Sequence, residues 1–485
     1  MRNDAVVRAL ERLTGAEVTR PGQPELMGAM GCALYAVSHA RQGQGVALEQ
    51  LLDQARYTTR QLHCKGCENQ CLVSRYAFGG GQTYYAGNRC EKVFTNGGGL
   101  TPGVNLYARK HELLFGRAAQ QPAQPRGTLG LARCLNMYEN FPFWHALFTA
   151  CGWRVVLSGQ SDFSRYEQSA RMVMSDNICF PAKLVHSHIQ ELVDLRVDRI
   201  FLPFVIFERN AGDLNSYNCP IVTGYSEVIK NVQAGSVPID SPAISFKDER
   251  LLYRQCRTYL AGLGVAEPDI RRAFGLAQRA QLDYERDIEQ ANRDALAEAL
   301  QARRPVILLA GRPYHTDPLI QHKMSDLIAH MGVDVITDDV VRADRSRLDD
   351  AHYLAQWTYP NRILRAARWC GAQGPLVQMV QFTSFGCGPD AFLTDEVRDT
   401  LLRYGKPFTL LKLDDINNVG SMKLRVRSLV ESLRLAQAAA RPAAVRPQPA
   451  PAEAGTDLRR KKTHHPLLYA FSFAAHSRRH GLCGI

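Results

Sequence analysis

Several signals that assign a function directly are missing from this chain. No apolar run approaches the roughly eighteen residues of a membrane-spanning helix, and charged residues interrupt the N-terminus where a signal peptide has an apolar core (Arg2, Asp4, Arg8, Glu11). There is no Walker P-loop, no Gly-x-Ser-x-Gly elbow and no His-Glu-x-x-His helix. We therefore expect a cytoplasmic protein with no membrane partner. Its chemistry should differ from the functions that these three motifs mark.

A nucleic-acid-binding motif is also missing, although the formal net charge is +12. Much of the excess is scattered arginine, and part of it lies near the C-terminus, at Arg441, Arg446, 459–462, Arg478 and Arg479. Neither set has the interleaved aromatic residues of RNA- or DNA-binding surfaces. Since a run of charge is usually a solvated face, we expect no nucleic-acid partner.

The length and the cysteine content bound the organisation of the chain. A chain of 485 residues is longer than one hydrophobic core usually supports, so two or three domains are expected. Its 45% hydrophobic content is ordinary for a globular protein. Without an export signal, the thirteen cysteines are better interpreted as reduced thiols and metal ligands than as disulfides.

Four cysteines are spaced so that one inorganic centre could collect them: Cys64, Cys67, Cys71 and Cys90. Thiolates favour zinc, copper(I) and iron-sulfur clusters. Three close cysteines and one remote cysteine resemble several cubane-cluster sites more than the two short pairs of a zinc ribbon. We therefore predict an iron-sulfur cluster, of the [4Fe-4S] type, with structural zinc as the alternative. Four unrelated core thiols are a weaker explanation, because this Gly- and Asn-rich segment would make a poor core.

Hydrophobic periodicity predicts an α/β protein with two doubly wound parallel sheets. β-like and helical runs alternate twice along the chain, as βαβ units do. Among the predicted helices are Pro142–Ala150 and Pro318–Met331. The predicted segments are a four-cysteine module (55–105), a first α/β domain (120–247), a helical connector (248–302), a second α/β domain (303–435), and an Ala/Pro/Arg-rich linker and basic tail predicted to be disordered (436–485).

Three further cysteines, Cys179, Cys219 and Cys387, lie in loops that enter predicted helices. Open α/β sheets bind ligands outside the carboxyl ends of their strands, where such loops lie. The flanking Gly386 and Gly388 would let the backbone approach a cluster closely. We predict that these three thiols bind metal, although any one of them alone would be interpreted as a small buried residue. Four other cysteines lie in apolar elements and are predicted to be core thiols: Cys134, Cys151, Cys256 and Cys370.

Two weaker candidates are a glycine pair and a basic pair. Gly28 and Gly31 fall at a glycine-rich helix start, which can accept an anion or simply pack against another helix. Arg312 and His315 follow a predicted strand and could meet an anionic substrate. A histidine that is satisfied within its own loop is the alternative for His315.

Together these motifs resemble the acyl-CoA dehydratase activase-related proteins, large relatives of the 2-hydroxyglutaryl-CoA dehydratase and benzoyl-CoA reductase systems. The resemblance covers residues 55–435. Its motifs are Cys64-x-x-Cys67-x-x-x-Cys71, Gly87-Asn88-Arg89-Cys90, Asn136-x-x-Glu139-Asn-x-Pro142, Cys179-x-Pro181-Ala-Lys183, Asn218-Cys219-Pro220, Gly311-Arg312-Pro313-Tyr314-His315 and Phe385-Gly-Cys387-Gly-Pro-Asp390.

Residues 1–45 resemble the C-terminal end of the activator ATPase of those systems, which has an actin-like fold. The resemblance implies that Gly28 and Gly31 lie on the adenosine side of that fold. The phosphate-binding hairpins and catalytic carboxylates of such an ATPase would precede this segment. We therefore expect no ATPase activity from this chain alone.

The resemblance implies an iron-sulfur redox component that accepts low-potential electrons from an activator ATPase. It also implies one cluster held by Cys179, Cys219 and Cys387 and a second centre at the four-cysteine segment. The implied partners are the activator ATPase, a dehydratase-like subunit and an acyl-CoA substrate. Two alternatives stay open, a non-catalytic scaffold with structural zinc and an autonomous acyl-CoA dehydratase or reductase.

Overall fold

The computed structural model describes residues 3–39, 47–65, 71–79, 81–88, 93–94, 96, 101–209, 215–233, 237–348, 351, 356–415 and 419–439. The chain forms two compact units, the first made of Met1–Gln61 and Ser74–Ala86 and the second of Leu62–Val73 and Gly87–Ile485. Cys67, Cys90 and the predicted tail from residue 440 onward lie outside the described residues. Within those residues, no helix combines the length and the apolar character needed to cross a bilayer.

The N-terminal part of the chain contributes three helices and a small sheet. The helices are α1 (Asp4–Thr14), α2 (Met27–His39) and α3 (Leu48–Gln54), and the strands are β1 (Tyr57–His63), β2 (Leu72–Phe78) and β3 (Thr83–Ala86). The strand order is β1-β2-β3, with β2 and β3 antiparallel. Asn3 caps α1 by accepting the Ala5 N–H at 2.9 Å, and the left-handed Gly15 ends that helix.

The first α/β half has two sets of parallel strands. Its strands are β4 (Thr128–Leu131), β5 (Arg154–Leu157), β6 (Arg199–Phe201), β7 (Phe204–Phe207), β8 (Ile239–Asp240) and β9 (Ala243–Ser245). The larger sheet has the order β5-β4-β6-β8, and β7 pairs separately with β9. The helices of this half are α4 (Leu106–Phe115), α5 (Met137–Ala150), α6 (Phe163–Ser169), α7 (Phe180–Asp194) and α8 (Pro220–Val232).

The second half has one parallel sheet, preceded by two helices, α9 (Glu249–Gly262) and the 35-residue α10 (Glu267–Gln301). Its strands are β10 (Val306–Ala310), β11 (Asp334–Thr337), β12 (Val377–Ser384) and β13 (Thr409–Leu413), and its helices are α11 (Met324–His330), α12 (Thr358–Ala372), α13 (Gly388–Arg403) and α14 (Val419–Ala439). The strand order is β11-β10-β12-β13. Every residue of β10 and β12 is buried, as expected of a parallel sheet covered on both faces. The predicted α/β class with two parallel sheets is confirmed.

Helix α5 is anchored by an aromatic cluster in the first half. The fully buried Trp144 lies 4.7 Å, ring centre to ring centre, from Phe201 of β6, and Phe148 lies 4.9 Å from the same ring. Aromatic contacts of this kind add to the apolar area that the rings bury. The cluster fixes the start of α5, which carries Asn136 at its N-cap position and Glu139 in its first turn.

Candidate functional site

Each of the three predicted loop cysteines is the N-cap residue of a helix. Cys179 precedes α7, Cys219 precedes α8 and Cys387 precedes α13, and all three have extended backbone angles. A proline follows at the first or second helical position in each case. Proline is favoured there because the first helical N–H groups have no intrahelical partner. The three thiols therefore lie at the positive ends of three helix dipoles, where negative charge is stabilised.

A buried guanidinium and a buried phenol lie among these thiols. Arg312 Nη2 donates to Asp390 Oδ1 at 2.6 Å and contacts Cys387 Sγ at 3.6 Å. Its Nε is buried and has no hydrogen-bond partner among the described residues. Burial raises the pKa of Tyr314, Arg312 opposes that rise, and all three thiols add to it. The three thiols thus lie near enough to Arg312 and Tyr314 to share one electrostatic environment.

Two thiols of this site, Cys179 and Cys387, are protonated at neutral pH in the metal-free protein. Burial raises the pKa of Cys179 to about 11 and that of Cys387 to about 12, although Arg312 acts to lower both. Metal binding releases such protons, because the thiolate is the ligand. A bound metal would therefore be held more weakly as the pH falls.

Within the described residues, no three His, Cys, Asp or Glu side chains form a group able to hold a metal ion. A multi-iron cluster binds thiolates at its separate corners, so its ligands need not converge on one point. Three thiols at helix N-termini, with an unpaired guanidinium N–H beside them, are donors of the kind that a net negative cluster requires. The donor chemistry around Arg312 therefore fits a net negative cluster.

The loops that carry Cys179 and Cys387 approach each other closely. Gly386 has a φ of +74°, and a Cβ atom added there would lie 3.1 Å from the carbonyl oxygen of Asn177. Glycine is needed on both counts, because a side chain would strain the left-handed backbone and crowd the facing loop.

We predict that Gly386→Ala costs more stability than Gly405→Ala. Both glycines are left-handed, but an alanine Cβ at position 405 would have nothing within 4 Å. The control should therefore show only the backbone strain of about 1–2 kcal/mol, whereas Gly386→Ala adds the contact with Asn177. Urea unfolding of both variants measures the difference. Equal losses would mean that the two loops are not held together at this point.

His315, predicted to meet an anionic substrate, is buried and held within the protein. Its Nδ1 accepts the N–H of Arg312 at 3.0 Å, and its Nε2 lies 3.1 Å from Ser384 Oγ. Burial lowers its pKa to about 3, so the imidazole is neutral near pH 7. Arg312 is directed to Asp390 and the thiols, as described above. The substrate role predicted for this pair stays a prediction.

The structure describes two of the four cysteines predicted to share one centre. Cys64 is buried and Cys71 is half-buried, and the N–H of Cys64 donates to the carbonyl of Cys71 at 2.9 Å. This bond brings the two ends of the short loop together, as a shared centre requires. Since Cys67 and Cys90 lie outside the described residues, the four-thiol centre stays a prediction.

Gly28 and Gly31 both lie in helix α2, which is exposed along this stretch. A Cβ added at either position would meet nothing within 4 Å. The described residues of this unit therefore show no close approach of another element at these glycines, and the adenosine-side role stays a prediction. The four predicted core thiols are all buried: Cys134, Cys151, Cys256 and Cys370.

The sequence did not reveal a cluster of buried charges between the two halves. Glu139 of α5 binds Arg342 at 2.6 Å and Arg362 of α12 at 3.3 Å. Burial by itself would raise the pKa of Glu139, but Arg342 and Arg362 lower it to about 2. Lys110 of α4 pairs with Asp339 at 2.7 Å beside them. Glu139 and Arg362 are 223 positions apart along the chain, so no local pattern could pair them.

Glu208, at the end of β7, is a second buried carboxyl in this region. Three asparagine amides donate to it: Asn136, Asn140 at 3.2 Å and Asn218 at 2.9 Å. Burial and then the charge of Glu139 raise the pKa of Glu208 to about 7. Asn136, Glu139, Asn140 and Asn218 belong to motifs that carried the family resemblance, and that was the signal available in the sequence.

A comparison with protein-family models gives one match that bears on this site. Residues 128–341 match the family described as the CoA enzyme activase uncharacterised domain. This chain contains a CoA enzyme activase-related domain. The match confirms the predicted relationship to the activase-related proteins. The matched residues of the activase-related domain include Cys179, Cys219 and Arg312, whereas Cys387 and the four-cysteine segment lie outside them. No curated protein matches the sequence.

Comparison with solved structures gives only distant likenesses. A carbohydrate transporter from Acidothermus cellulolyticus 11B, in complex with myo-inositol, is 9% identical over 65% of this chain and 88% of its own, with a TM-score of 0.16. A putative sugar binding protein from Salmonella typhimurium LT2 is 11% identical over 69% and 99%, with a TM-score of 0.19. The C-terminal domain of glucosamine-fructose-6-phosphate aminotransferase from Francisella tularensis is 10% identical over 71% and 97%, with a TM-score of 0.18. Likeness at these TM-scores carries no argument about fold or function.

Proposed function

We propose that this activase-related protein is an iron-sulfur redox component of an ATP-driven 2-hydroxyacyl-CoA dehydratase or activase-like system. In this role it takes up low-potential electrons from an activator ATPase. The observation that carries the proposal is the placement of Cys179, Cys219 and Cys387 at three helix N-termini around one buried arginine. A [4Fe-4S] cluster bound there would supply the one-electron chemistry.

The surrounding residues suit a cluster that changes charge. Each helix N-terminus offers partial positive charge to cluster and thiolates. Burial opposes the charge of Arg312, but Asp390 first and then Cys387 and Cys219 hold its pKa well above the ordinary value. A permanently charged guanidinium next to the ligands would stabilise the more negative, reduced state, and charge and hydrogen bonds near the sulfurs are what set cluster potentials.

The test is anaerobic purification of the full chain, followed by iron, zinc and acid-labile sulfide analysis and by electron paramagnetic resonance after reduction. We expect iron and sulfide in similar amounts. Cys387→Ala is expected to abolish the signal of the three-thiol cluster because it removes a ligand. Cys370→Ala, which removes a buried core thiol of the same half, is the matched control and should keep the signal.

Two results would contradict the proposal. One is a protein that carries zinc and no sulfide, which would favour the structural scaffold. The other is a Cys387→Ala variant with as much iron and sulfide as the Cys370→Ala control. Cys64→Ala separates the two predicted centres, since it should remove the four-cysteine centre and leave the signal that depends on Cys387.

A further inference from the structure

A charged cavity lies between the two α/β halves, and its lining contains none of the three cysteines around Arg312. Helices α5, α10 and α12, the end of β7 and the turn after β11 enclose a space of about 420 Å³. Small-molecule sites typically have volumes of about 300–1,000 Å³. Among the lining residues are Glu139 and Glu208, the two buried carboxyls described above.

Arginines outnumber carboxylates in the lining of this cavity. The arginines are Arg209, Arg286, Arg342, Arg345, Arg362 and Arg365, and the acidic residues are Glu139, Glu208, Glu285, Glu289 and Asp344. When Glu208 is protonated, six positive side chains face four negative ones. Arg286, Arg342 and Arg362 are paired with carboxylates outside the lining (Asp283, Asp339 and Asp338), so an anion would be attracted by an arginine that has no such partner.

One of these arginines is available for an incoming anion. Arg345 Nη1 donates to the carbonyl oxygen of Arg342 at 2.9 Å and approaches that of Asp344 at 3.4 Å. Among the described residues no carboxylate forms an ion pair with it. Its exposed guanidinium keeps further N–H donors for a planar or tetrahedral anion, to which arginine binds with two parallel hydrogen bonds.

Glu208 and Glu139 face the cavity in different protonation states. The groups facing Glu208 are Asn136, Glu139 and Asn140 from α5, Asn218 ahead of α8, and Tyr359 with Arg362 from α12. Arg342 and Arg362 hold Glu139 as a carboxylate, and burial beside that charge keeps much of Glu208 in the acid form near pH 7. Two carboxyls with opposed proton affinities in one pocket are a common mark of a functional site.

We propose that this cavity binds a small organic anion, with Arg345 and Glu208 as ligands of its anionic group. The size of the cavity limits the occupant to a small molecule, and the guanidinium of Arg345, which forms no ion pair among the described residues, selects its charge. Thr358 Oγ, which is buried in the cavity wall without a hydrogen-bond partner among the described residues, offers a further polar contact. The inference does not depend on a metal at the thiols.

Isothermal titration calorimetry of the full chain tests this inference with two anions, glutarate and glycerol phosphate, and their neutral counterparts, glutaramide and glycerol. We expect at least one anion to bind and neither neutral probe to bind. Arg345→Ala should weaken binding at least about tenfold, whereas Arg272→Ala, at an exposed position of α10, should not change it. Glutarate and glycerol phosphate distinguish a carboxylate from a phosphate ligand.

The role of Glu208 is tested by the pH dependence of the same binding. Because the acid form is the donor and its pKa is about 7, affinity should fall about tenfold between pH 6 and pH 8. In Glu208→Gln this fall should disappear, and thermal unfolding checks that the variant is folded. Three results would overturn the inference: no binding of either anion, equal binding of the neutral probes, or equal affinity in Arg345→Ala and Arg272→Ala.

Discussion

Arg362→Met is expected to lower the free energy of unfolding by about 3–5 kcal/mol, the usual cost of removing one partner from a buried ion pair. Arg362 Nε donates to Asp338 at 2.9 Å, and its guanidinium also contacts Glu139 at 3.3 Å. All three side chains are almost completely buried. The methionine can fill much of the space, so the loss comes mainly from carboxylates left without their partner. Urea unfolding at pH 7 measures it.

Arg272→Met is the matched control for that loss. Arg272 pairs with Asp269 at 2.9 Å, but both side chains are exposed to solvent. Exposed pairs contribute less than about 1 kcal/mol. Adding Asp338→Asn to Arg362→Met should recover part of the loss, because Asp338, unlike Glu139, has no other ion pair among the described residues. If Arg362→Met and Arg272→Met lose similar free energy, the charges between the two halves are not held as the structure has them.

Glu208→Gln is expected to gain about 3 kcal/mol of stability relative to the unsubstituted chain as the pH rises from 5 to 8, since a tenfold change in proton affinity corresponds to about 1.4 kcal/mol. The folded protein raises the pKa of Glu208 from 4.5 to about 7. At pH 5 the folded state therefore holds a proton that the unfolded state has begun to lose. Between about pH 4.5 and 7 the unfolded state loses this proton while the folded state keeps it, so stability falls, and the fall ends once both states are deprotonated. Urea unfolding of both proteins at several pH values measures the difference.

Buried histidines change stability with pH in the opposite direction. Their contribution to the unfolding free energy must therefore be subtracted. Burial lowers the pKa of His188 and His315 to about 3, so the stability that depends on their neutral forms is lost as the pH falls below about 6.5. Both proteins share these histidines, and the difference between the two unfolding free energies isolates Glu208. A difference that stays constant from pH 5 to pH 8 would mean that Glu208 does not take up its proton in the folded state.

Local sequence signals predicted the two sheets and the helix starts at the thiols. Strand β10 (Val306–Ala310) is an unbroken apolar run, and both parallel sheets appear with the predicted alternation. The prolines after Cys179, Cys219 and Cys387 mark helix N-termini, because proline fits the first helical turn. These features are encoded within a few neighbouring residues.

Element boundaries were predicted less well, and proline was the main reason. We predicted a helix from Pro142, but α5 begins at Met137 and contains that proline. The packing of Trp144 and its neighbours stabilises the helix through it. The helix predicted over Pro318–Met331 is α-helical only from Met324. His322 and Lys323 ahead of it have left-handed backbone angles, which interrupt a right-handed helix.

The sequence by itself determined the α/β class, the relationship to the activase-related proteins and the position of each loop cysteine at the start of a helix. Tertiary structure alone decided which groups meet: Arg312 with Cys387, Glu139 with Arg362, and Glu208 with three asparagines. The physical reason is how far apart along the chain the residues that determine each feature lie. Helix caps and strand patterns depend on residues a few positions apart, whereas these contacts depend on the order of strands in two sheets and on the packing of the helices between them.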